Sequence, residues 1–86
     1  MQVALSSNFK KSIKKLPKNI VDKFFERLEL FKKDKFNPLL NNHKLHGEYD
    51  GSNSINITGN FRAVFKYLDE YNVVFSDIGT HPELYG

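Results

Sequence analysis

The sequence predicts an α+β domain of two layers, in which a helical hairpin packs on one face of a mostly antiparallel sheet. Two observations predict it. The first half of the chain carries apolar residues at helical spacing, and the second half carries short runs with the alternation and β-branched content of strands. The predicted element order is β-α-α-β-β-β, which is typical of helices on one side of a sheet. We expect residues 1–86 to form a single domain.

The N-terminal part of the chain is predicted to form one short strand and two helices. Residues 2–5 are the strand candidate, with Val3 and Leu5 on one face. A first helix is expected within residues 7–16, because Pro17 ends it and suits the first turn of the next helix. The second helix, within residues 17–35, stops before Asn37-Pro38. Its apolar stripe, expected to face the sheet, consists of Ile20, Phe24, Leu28 and Phe31, widened by Val21 and Phe25.

The second half of the chain is predicted to form three antiparallel strands near residues 53–58, 61–68 and 72–78. Gly59-Asn60 and the segment 69–72 are the turns between them. Residues 41–47 are either a loop or a short strand. Since only one layer of helices is available, the other sheet face is left partly open, and a site is expected there.

The net charge of +3 is unevenly distributed along the chain. Residues 1–36 contain ten Lys or Arg against four Asp or Glu, a balance of +6, whereas residues 37–86 contain three against six, a balance of −3. The basic half fits a nucleic acid or an acidic protein partner, and it also fits a solvated lysine-rich surface.

Several classes of protein are disfavoured by composition. Cysteine is absent, which excludes disulfides, cysteine nucleophiles and cysteine-based zinc sites and is consistent with a reducing cytosol. The N-terminus lacks the features of a signal peptide, and no apolar run approaches the ~20 residues of a membrane span. P-loop, GxGxxG and GxSxG motifs are also missing, so no small-molecule cofactor is predicted. We expect a cytoplasmic protein without a membrane anchor.

Arg62 and His81 are the first two candidate site residues. Arg62 is the only arginine of the second half and opens a strand after a turn. Its guanidinium suits a phosphate group, but an ion pair with Asp69, Glu70 or Asp77 is an alternative interpretation. His81 follows the last predicted strand and is available as a general acid or base, unless it is only a solvent-facing residue of the tail.

Two further candidates are His43 and Tyr85. His43 and His46 lie three residues apart, but no carboxylate stands at ligand spacing, so no metal is expected. Tyr85 either packs the C-terminal tail or stacks on a nucleobase. The residues alone therefore leave two classes open: a binding module, or a minimal hydrolytic or transfer site built from Arg, His, Tyr and Lys.

Four segments of the sequence together resemble the RelE/ParE toxin superfamily. The segments are His43–Gly47, Ser54–Ile57, Asn60–Phe65 and Ile78–Tyr85. The first, third and fourth correspond to the family's HKLxG, (D/N)YRxxY and IGxHxELY patterns, in the same order and at similar spacing, with Phe61 and Phe65 in place of the two tyrosines. The resemblance covers nearly the whole chain. It is greatest for the ribosome-dependent mRNA interferases, including the YafQ-like branch.

The resemblance implies the toxin of a type II toxin-antitoxin system, paired with a cognate antitoxin in the cytoplasm. It implies that the protein cuts mRNA on the ribosome, without metal or cofactor, by promoting attack of a ribose 2′-OH on the adjacent phosphate. By position, Arg62 resembles the arginine that stabilises the phosphate, and His81 resembles the histidine that transfers protons. Tyr85 resembles the aromatic residue near the scissile bond, and His43 matches a histidine at the edge of the site.

The chain also departs from the pattern of this family. Ser54 and Asn56 stand where active relatives place lysine or histidine, Asn60 stands where the YafQ-like branch has an acid, and Asp77 replaces an arginine. Each lost acid-base group would cost ~10²–10⁴ in rate. Two alternatives therefore remain: a ParE-like inhibitor of DNA gyrase that acts by binding, and a catalytically weak relative whose main partner is its antitoxin.

Overall fold

The computed structural model describes residues 1–85, in which five strands and three helices are formed. The elements are β1 (Gln2–Leu5), α1 (Ser7–Ile13), α2 (Lys18–Lys33), β2 (His43–Lys44), β3 (Asn53–Asn56), β4 (Phe61–Tyr67), β5 (Asn72–Thr80) and α3 (His81–Tyr85). A 3-10 turn at Gly47–Tyr49 connects β2 to β3. The predicted fold class and element order are confirmed. Helix α3 and the 3-10 turn are additions that the sequence pattern did not predict.

The five strands form one sheet in the order β1-β5-β4-β3-β2. β1 is parallel to β5, and the remaining neighbours are antiparallel. A β-bulge interrupts the pairing of β4 with β5, because Val64 pairs with Asp77 whereas the next residue, Phe65, pairs with Phe75. The two-residue strand β2 resolves the loop-or-strand alternative for residues 41–47.

The two long helices begin and end for local reasons. Ser6 caps α1 by accepting a hydrogen bond from the backbone N–H of Phe9 at 3.1 Å, and Pro17 precedes the first turn of α2. α2 ends at Lys33, earlier than the predicted stop at Asn37-Pro38, because Asp34 leaves the helical region with φ −155° and ψ 86°. Within the described part of the chain, no helix combines the length and apolar composition needed to cross a bilayer.

The main core lies between the helices and the sheet. Its centre is a group of phenylalanine rings, with Phe24 and Phe75 5.6 Å apart and Phe31 and Phe65 4.9 Å apart between centroids. The predicted stripe of α2 is buried, and Phe24, Leu28 and Phe31 all belong to this core. The expectation for Phe25 is wrong. Its side chain is 46% exposed, because it lies on the flank of α2 beside the ring of Phe24 and away from the sheet.

A second, smaller apolar cluster lies on the opposite face of the sheet. Val64 of β4, Leu45 and Leu84 of α3 form it, and Tyr49 and Tyr85 pack at its edge. Leu84 is only 8% exposed, so the burial of this side chain against the sheet holds α3 on this face. The face that the sequence left open is therefore partly covered by the C-terminal helix and the 3-10 turn.

Candidate functional site

The sheet face away from α1 and α2 carries two rows of residues, most of which are polar. Residues that oppose each other in antiparallel strands point to the same face, and Ile55, Ala63 and Ile78 between these rows point into the main core. The register gives the members of the first row as His43, Ser54, Val64 and Asp77. The second row, nearer the end of the sheet where β4 begins, consists of Asn56, Arg62 and Gly79.

A capping box holds α3 beside these rows. The backbone N–H of Thr80 donates to Oε1 of Glu83 at 2.8 Å, and the backbone N–H of Glu83 donates to Oγ1 of Thr80 at 3.3 Å. The backbone N–H of Thr80, followed by its hydroxyl, holds the pKa of Glu83 below the ordinary value. Gly79 leaves room for the turn, since a Cβ there would lie 3.4 Å from Oε1 of Glu83. The box fixes His81 as the first residue of α3.

A recess of about 270 Å³ brings together three of the four predicted site residues. His43 lines it from β2, and His81 and Tyr85 line it from α3. The remaining wall is formed by Lys44, Leu45 and His46. We call this space the histidine recess. It contains three imidazoles and one lysine ammonium, which are groups that transfer protons or neutralise an anion. Within residues 1–85, potential metal ligands form no cluster of three or more.

The ring of His43 is held by a backbone carbonyl. Its Nδ1 lies 2.7 Å from the carbonyl oxygen of Asn41, a residue in the left-handed region with φ 46°. Because a carbonyl only accepts hydrogen bonds, Nδ1 carries the proton and donates it. The second nitrogen, Nε2, is therefore the one that is able to accept a proton from another group.

Tyr85 connects His81 to the sheet. Its hydroxyl donates to Oγ of Ser54 at 3.1 Å, and Ser54 is fully buried. The ring of Tyr85 stands edge to face with His81, with centroids 4.8 Å apart and an angle of 69° between the planes. Tyr85 thus fixes the position of the His81 imidazole from one side. The orientation of Tyr85 depends in turn on its hydrogen bond to Ser54 of β3.

A second tyrosine extends this arrangement toward β5. The hydroxyl of Tyr49 donates to Oδ2 of Asp77 at 3.2 Å, and the ring stands edge to face with Tyr85 at 5.8 Å. Burial raises the pKa of Tyr49, and the negative charge of Asp77 raises it further. Tyr49 is therefore a neutral donor at physiological pH, and the carboxylate of Asp77 is its acceptor.

Arg62 lies at the end of the sheet where β4 begins, close to the start of α3, but its guanidinium points along the preceding turn. Residue Arg62 pairs with Gly79, and the backbone N–H of His81 donates to the carbonyl of Asn60 at 3.2 Å. Nη1 donates to the carbonyls of Thr58, Gly59 and Phe61 at 3.0–3.2 Å. The alternative of an ion pair with Asp69, Glu70 or Asp77 is wrong, since the ion pairs within residues 1–85 join other residues. Arg62 does not line the histidine recess.

Sequence reasoning missed three contributors to this site: His46, Tyr49 and Ser54. The sequence indicates His46 only as half of a pair of possible metal ligands, whereas the side chain lines the histidine recess. The alternation of β3 already places Ser54 on the same face as Asn56, and this signal is sufficient to include it. Tyr49 has no periodic signal, because it follows a left-handed glycine at Gly47 in an irregular segment.

The comparisons with known proteins agree with this fold. The family model described as bacterial toxin of type II toxin-antitoxin system, YafQ, matches residues 1–86. YafQ from E. coli strain BL21(DE3) superposes with a TM-score of 0.82 at 19% identity, over 99% of this chain and 98% of that one. YafQ in the E. coli DinJ–YafQ toxin-antitoxin complex gives a TM-score of 0.79 at 20% identity, with coverages of 99% and 97%. A YoeB/ParE toxin from Agrobacterium tumefaciens gives 0.75 at 18% identity, with coverages of 94% and 99%. No curated protein sequence matches significantly.

The fold and the family match define the class of this protein as a type II toxin of the RelE/YafQ kind. The chain belongs to the YafQ toxin family.

Proposed function

We propose that this toxin is an endoribonuclease that cuts mRNA on the ribosome, and hence acts in the cytoplasm. The observation that carries the proposal is the histidine recess, in which His43, His81 and Tyr85 meet on the open face of the sheet. The row that contains Arg62 lies next to it. When a ribose 2′-OH attacks a phosphate, the reaction requires acid-base groups and a nearby cation, and both kinds of group are present here.

The proposed reaction is a transesterification performed by the toxin's own side chains. Nε2 of His43 accepts the proton of the 2′-OH, and the 2′-oxygen forms a bond to the adjacent phosphorus. The bond between phosphorus and the 5′-oxygen breaks, and His81 supplies the proton to this leaving oxygen. The products are a 2′,3′-cyclic phosphate and a free 5′-hydroxyl. Tyr85 positions His81 through the ring contact at 4.8 Å.

Arg62 has the role of stabilising the negative charge of the transition state. Its Nη1 is bound to turn carbonyls, whereas Nε and Nη2 make no hydrogen bond with residues 1–85. The turn carbonyls thus leave two nitrogens of the guanidinium for a phosphate oxygen. A cation close to the phosphorus lowers the barrier because the charge there increases in the transition state.

Cleavage of mRNA on programmed ribosomes tests this proposal. We expect His81→Ala and Arg62→Ala each to lower the cleavage rate by ~10²–10³, the range for loss of one acid-base group or one charge-stabilising donor. Lys66→Ala is the matched control, because Lys66 is a cation of the same strand and face as Arg62 but near its other end. Thermal unfolding of each variant shows whether the fold is kept. Wild-type rates for both His81→Ala and Arg62→Ala would exclude this mechanism.

We also propose that the toxin is neutralised by a cognate antitoxin. E. coli YafQ is seen in a complex with DinJ, and this chain shares its fold over 99% of its length. The balance of +6 in residues 1–36 favours an acidic or amphipathic antitoxin segment. Co-expression with the product of the adjacent gene is expected to restore growth and increase the soluble yield. If the two proteins fail to copurify at low salt, this partner is wrong.

One observation favours a second function, inhibition of DNA gyrase by binding. Nη1 of Arg62 is held by the turn, Asn56 pairs with Arg62 and Ser54 pairs with Val64, so β3 adds no cation beside Arg62. A toxin that acts by binding does not need one. A supercoiling assay with purified gyrase decides between the two functions: inhibition that persists in His81→Ala, with no cleavage of mRNA, supports the gyrase target.

A further inference from the structure

A second recess adjoins the histidine recess and has different chemistry. Its volume is about 320 Å³, and its walls are His46, Glu48, Tyr49, Glu83, Leu84 and Tyr85. His46 and Tyr85 also line the histidine recess, so the two spaces share a wall. We call this second space the acidic recess. An RNA strand bound in the histidine recess would therefore reach the acidic recess within one or two nucleotides of the reacting phosphate.

The walls of the acidic recess suit a flat, uncharged ring. Tyr49 and Tyr85 supply aromatic surface, and Leu84 supplies an apolar contact at 8% exposure. Nucleobases stack on aromatic side chains irrespective of their identity. The carboxylates of Glu48 and Glu83 repel phosphate, which excludes the nucleotide backbone from this space.

Two of the polar groups of the acidic recess are carboxylates, which accept hydrogen bonds, and they lie beside the imidazole of His46. Oε1 of Glu83 is occupied by the backbone N–H of Thr80, so Oε2 remains. Glu48 makes no hydrogen bond or ion pair with any residue of the described chain 1–85, and both of its oxygens remain. An ionised carboxylate accepts and does not donate. The carboxylates of the recess consequently favour ligands that present N–H groups.

We infer that the acidic recess is a nucleobase subsite that prefers guanine, with Glu48 as the residue that determines specificity. This inference rests on the proposed cleavage of mRNA. Guanine presents N1–H and the N2 amino group side by side, which matches the two oxygens of one carboxylate. Adenine and cytosine present one amino group beside an acceptor nitrogen and fit less well. Uracil presents a single N–H between two carbonyls, which the carboxylate repels.

The first experiment measures base preference during cleavage. Ribosomes are programmed with mRNAs that differ only in one nucleotide of the A-site codon, and kcat/KM is measured for each base at each position. We expect the wild-type toxin to prefer guanine over uracil by roughly 5- to 100-fold at one position, as one bidentate pair allows. Glu48→Gln, whose amide pairs an acceptor with a donor, is expected to bring this ratio close to one. Glu83→Gln, which keeps the capping box, is expected to reduce it less.

Glu70→Gln is the matched control, because it removes the same charge from the exposed turn between β4 and β5. It is expected to leave the ratio of guanine to uracil unchanged. A wild-type ratio near one at every position, or the same ratio in Glu48→Gln as in the wild type, would overturn the subsite while leaving the cleavage mechanism intact.

The second experiment separates the subsite from catalysis. Guanosine and uridine, which carry no phosphate, are titrated into the ¹⁵N-labelled toxin without ribosomes. Guanosine is expected to shift the amide resonances of Tyr49, Leu84 and Tyr85, and Glu48→Gln is expected to abolish these shifts. If guanosine shifts them but no mRNA is cut, the proposed function fails and the subsite stands. If guanosine has no larger effect than uridine, the subsite is wrong.

Discussion

Gly47 is the residue whose replacement tests the loop that carries the acidic recess. Its φ of +67° lies in the left-handed region, and a Cβ would meet no atom within 4 Å. The cost of Gly47→Ala is therefore backbone strain alone, about 1–2 kcal/mol of unfolding free energy. Gly59→Ala is the control, because Gly59 also has open space and lies outside the left-handed region. Urea denaturation of both variants measures the difference, and equal stabilities would contradict it.

The position of a side chain was predictable where the pairing of two strands determines it. It was not predictable where the conformation of an irregular turn determines it. The adjacency of Arg62 to the start of α3 follows from the antiparallel pairing of β4 with β5. The direction of its guanidinium does not, because it depends on the carbonyls of an irregular turn at Thr58–Phe61. Likewise, the carbonyl that fixes His43 belongs to Asn41, whose left-handed backbone no periodic pattern indicates.

At the scale of elements, α3 is stabilised by a carboxylate that titrates. The folded pKa of Glu83 lies below its ordinary value of 4.5, mainly because Thr80 donates to it. Its contribution to stability is thus present above that pH and is lost as the pH falls through the folded pKa. We expect the protection factors of the amides in residues 81–85, which are corrected for the slower intrinsic exchange at low pH, to fall on acidification. Glu83→Ala is expected to show low protection at all pH values, whereas Glu83→Gln keeps high protection without this pH step. An unchanged pH step in Glu83→Gln would contradict the assignment to Glu83.

The helix α3 was absent from the predicted elements, although the sequence contains a signal for its first turn. Thr80-His81-Pro82-Glu83 has the residue types of a capping box with proline in the first turn. The helix is only five residues long, too short for a periodic apolar stripe, so the pattern that predicted α1 and α2 had no counterpart here. Leu84 is the one buried residue of α3, and it packs on the sheet face. The helix could therefore be predicted only once that face was known.

The orientation of α2 on the sheet is tested by two neighbouring phenylalanines. Phe24 is fully buried against Phe9 and Phe75, whereas Phe25 is 46% exposed. We expect Phe24→Ala to lower the free energy of unfolding by about 3–5 kcal/mol, since it leaves a cavity in the core. Phe25→Ala is expected to cost far less, because much of its ring already contacts water. Comparable losses in chemical denaturation would show that the helix is rotated from this position.

At the scale of the whole molecule, the sequence predicted two layers and the antiparallel strands but not the full sheet. The position of β1 beside β5 is a parallel pairing between residues about 70 apart, and hydrophobic alternation carries no information on such partners. The same limit applies to the two recesses. Each is assembled from the loop after β2 and from α3, which are distant in sequence and meet only because Leu45 and Leu84 pack on Val64.

The charge asymmetry of the whole molecule leads to a prediction about ribosome binding. Lys10 and Lys14 of the first helical segment are exposed and form no ion pair within residues 1–85, and they lie one turn apart. Lysines that neutralise RNA phosphates release counterions, so the affinity falls as salt increases, by about one unit of log–log slope per contact. Lys10→Glu combined with Lys14→Glu is therefore expected to weaken binding to ribosomes and to reduce the slope by about two.

The arginine versions are the control, because Lys10→Arg combined with Lys14→Arg keeps both charges. Their salt dependence is expected to match that of the wild type. His81→Ala is a second control, since a residue that acts in the chemical step contributes little to long-range attraction. Binding is measured by cosedimentation with ribosomes between roughly 50 and 200 mM salt. If the glutamate variant keeps the wild-type salt dependence, Lys10 and Lys14 face solvent in the complex and the toxin approaches the ribosome by another surface.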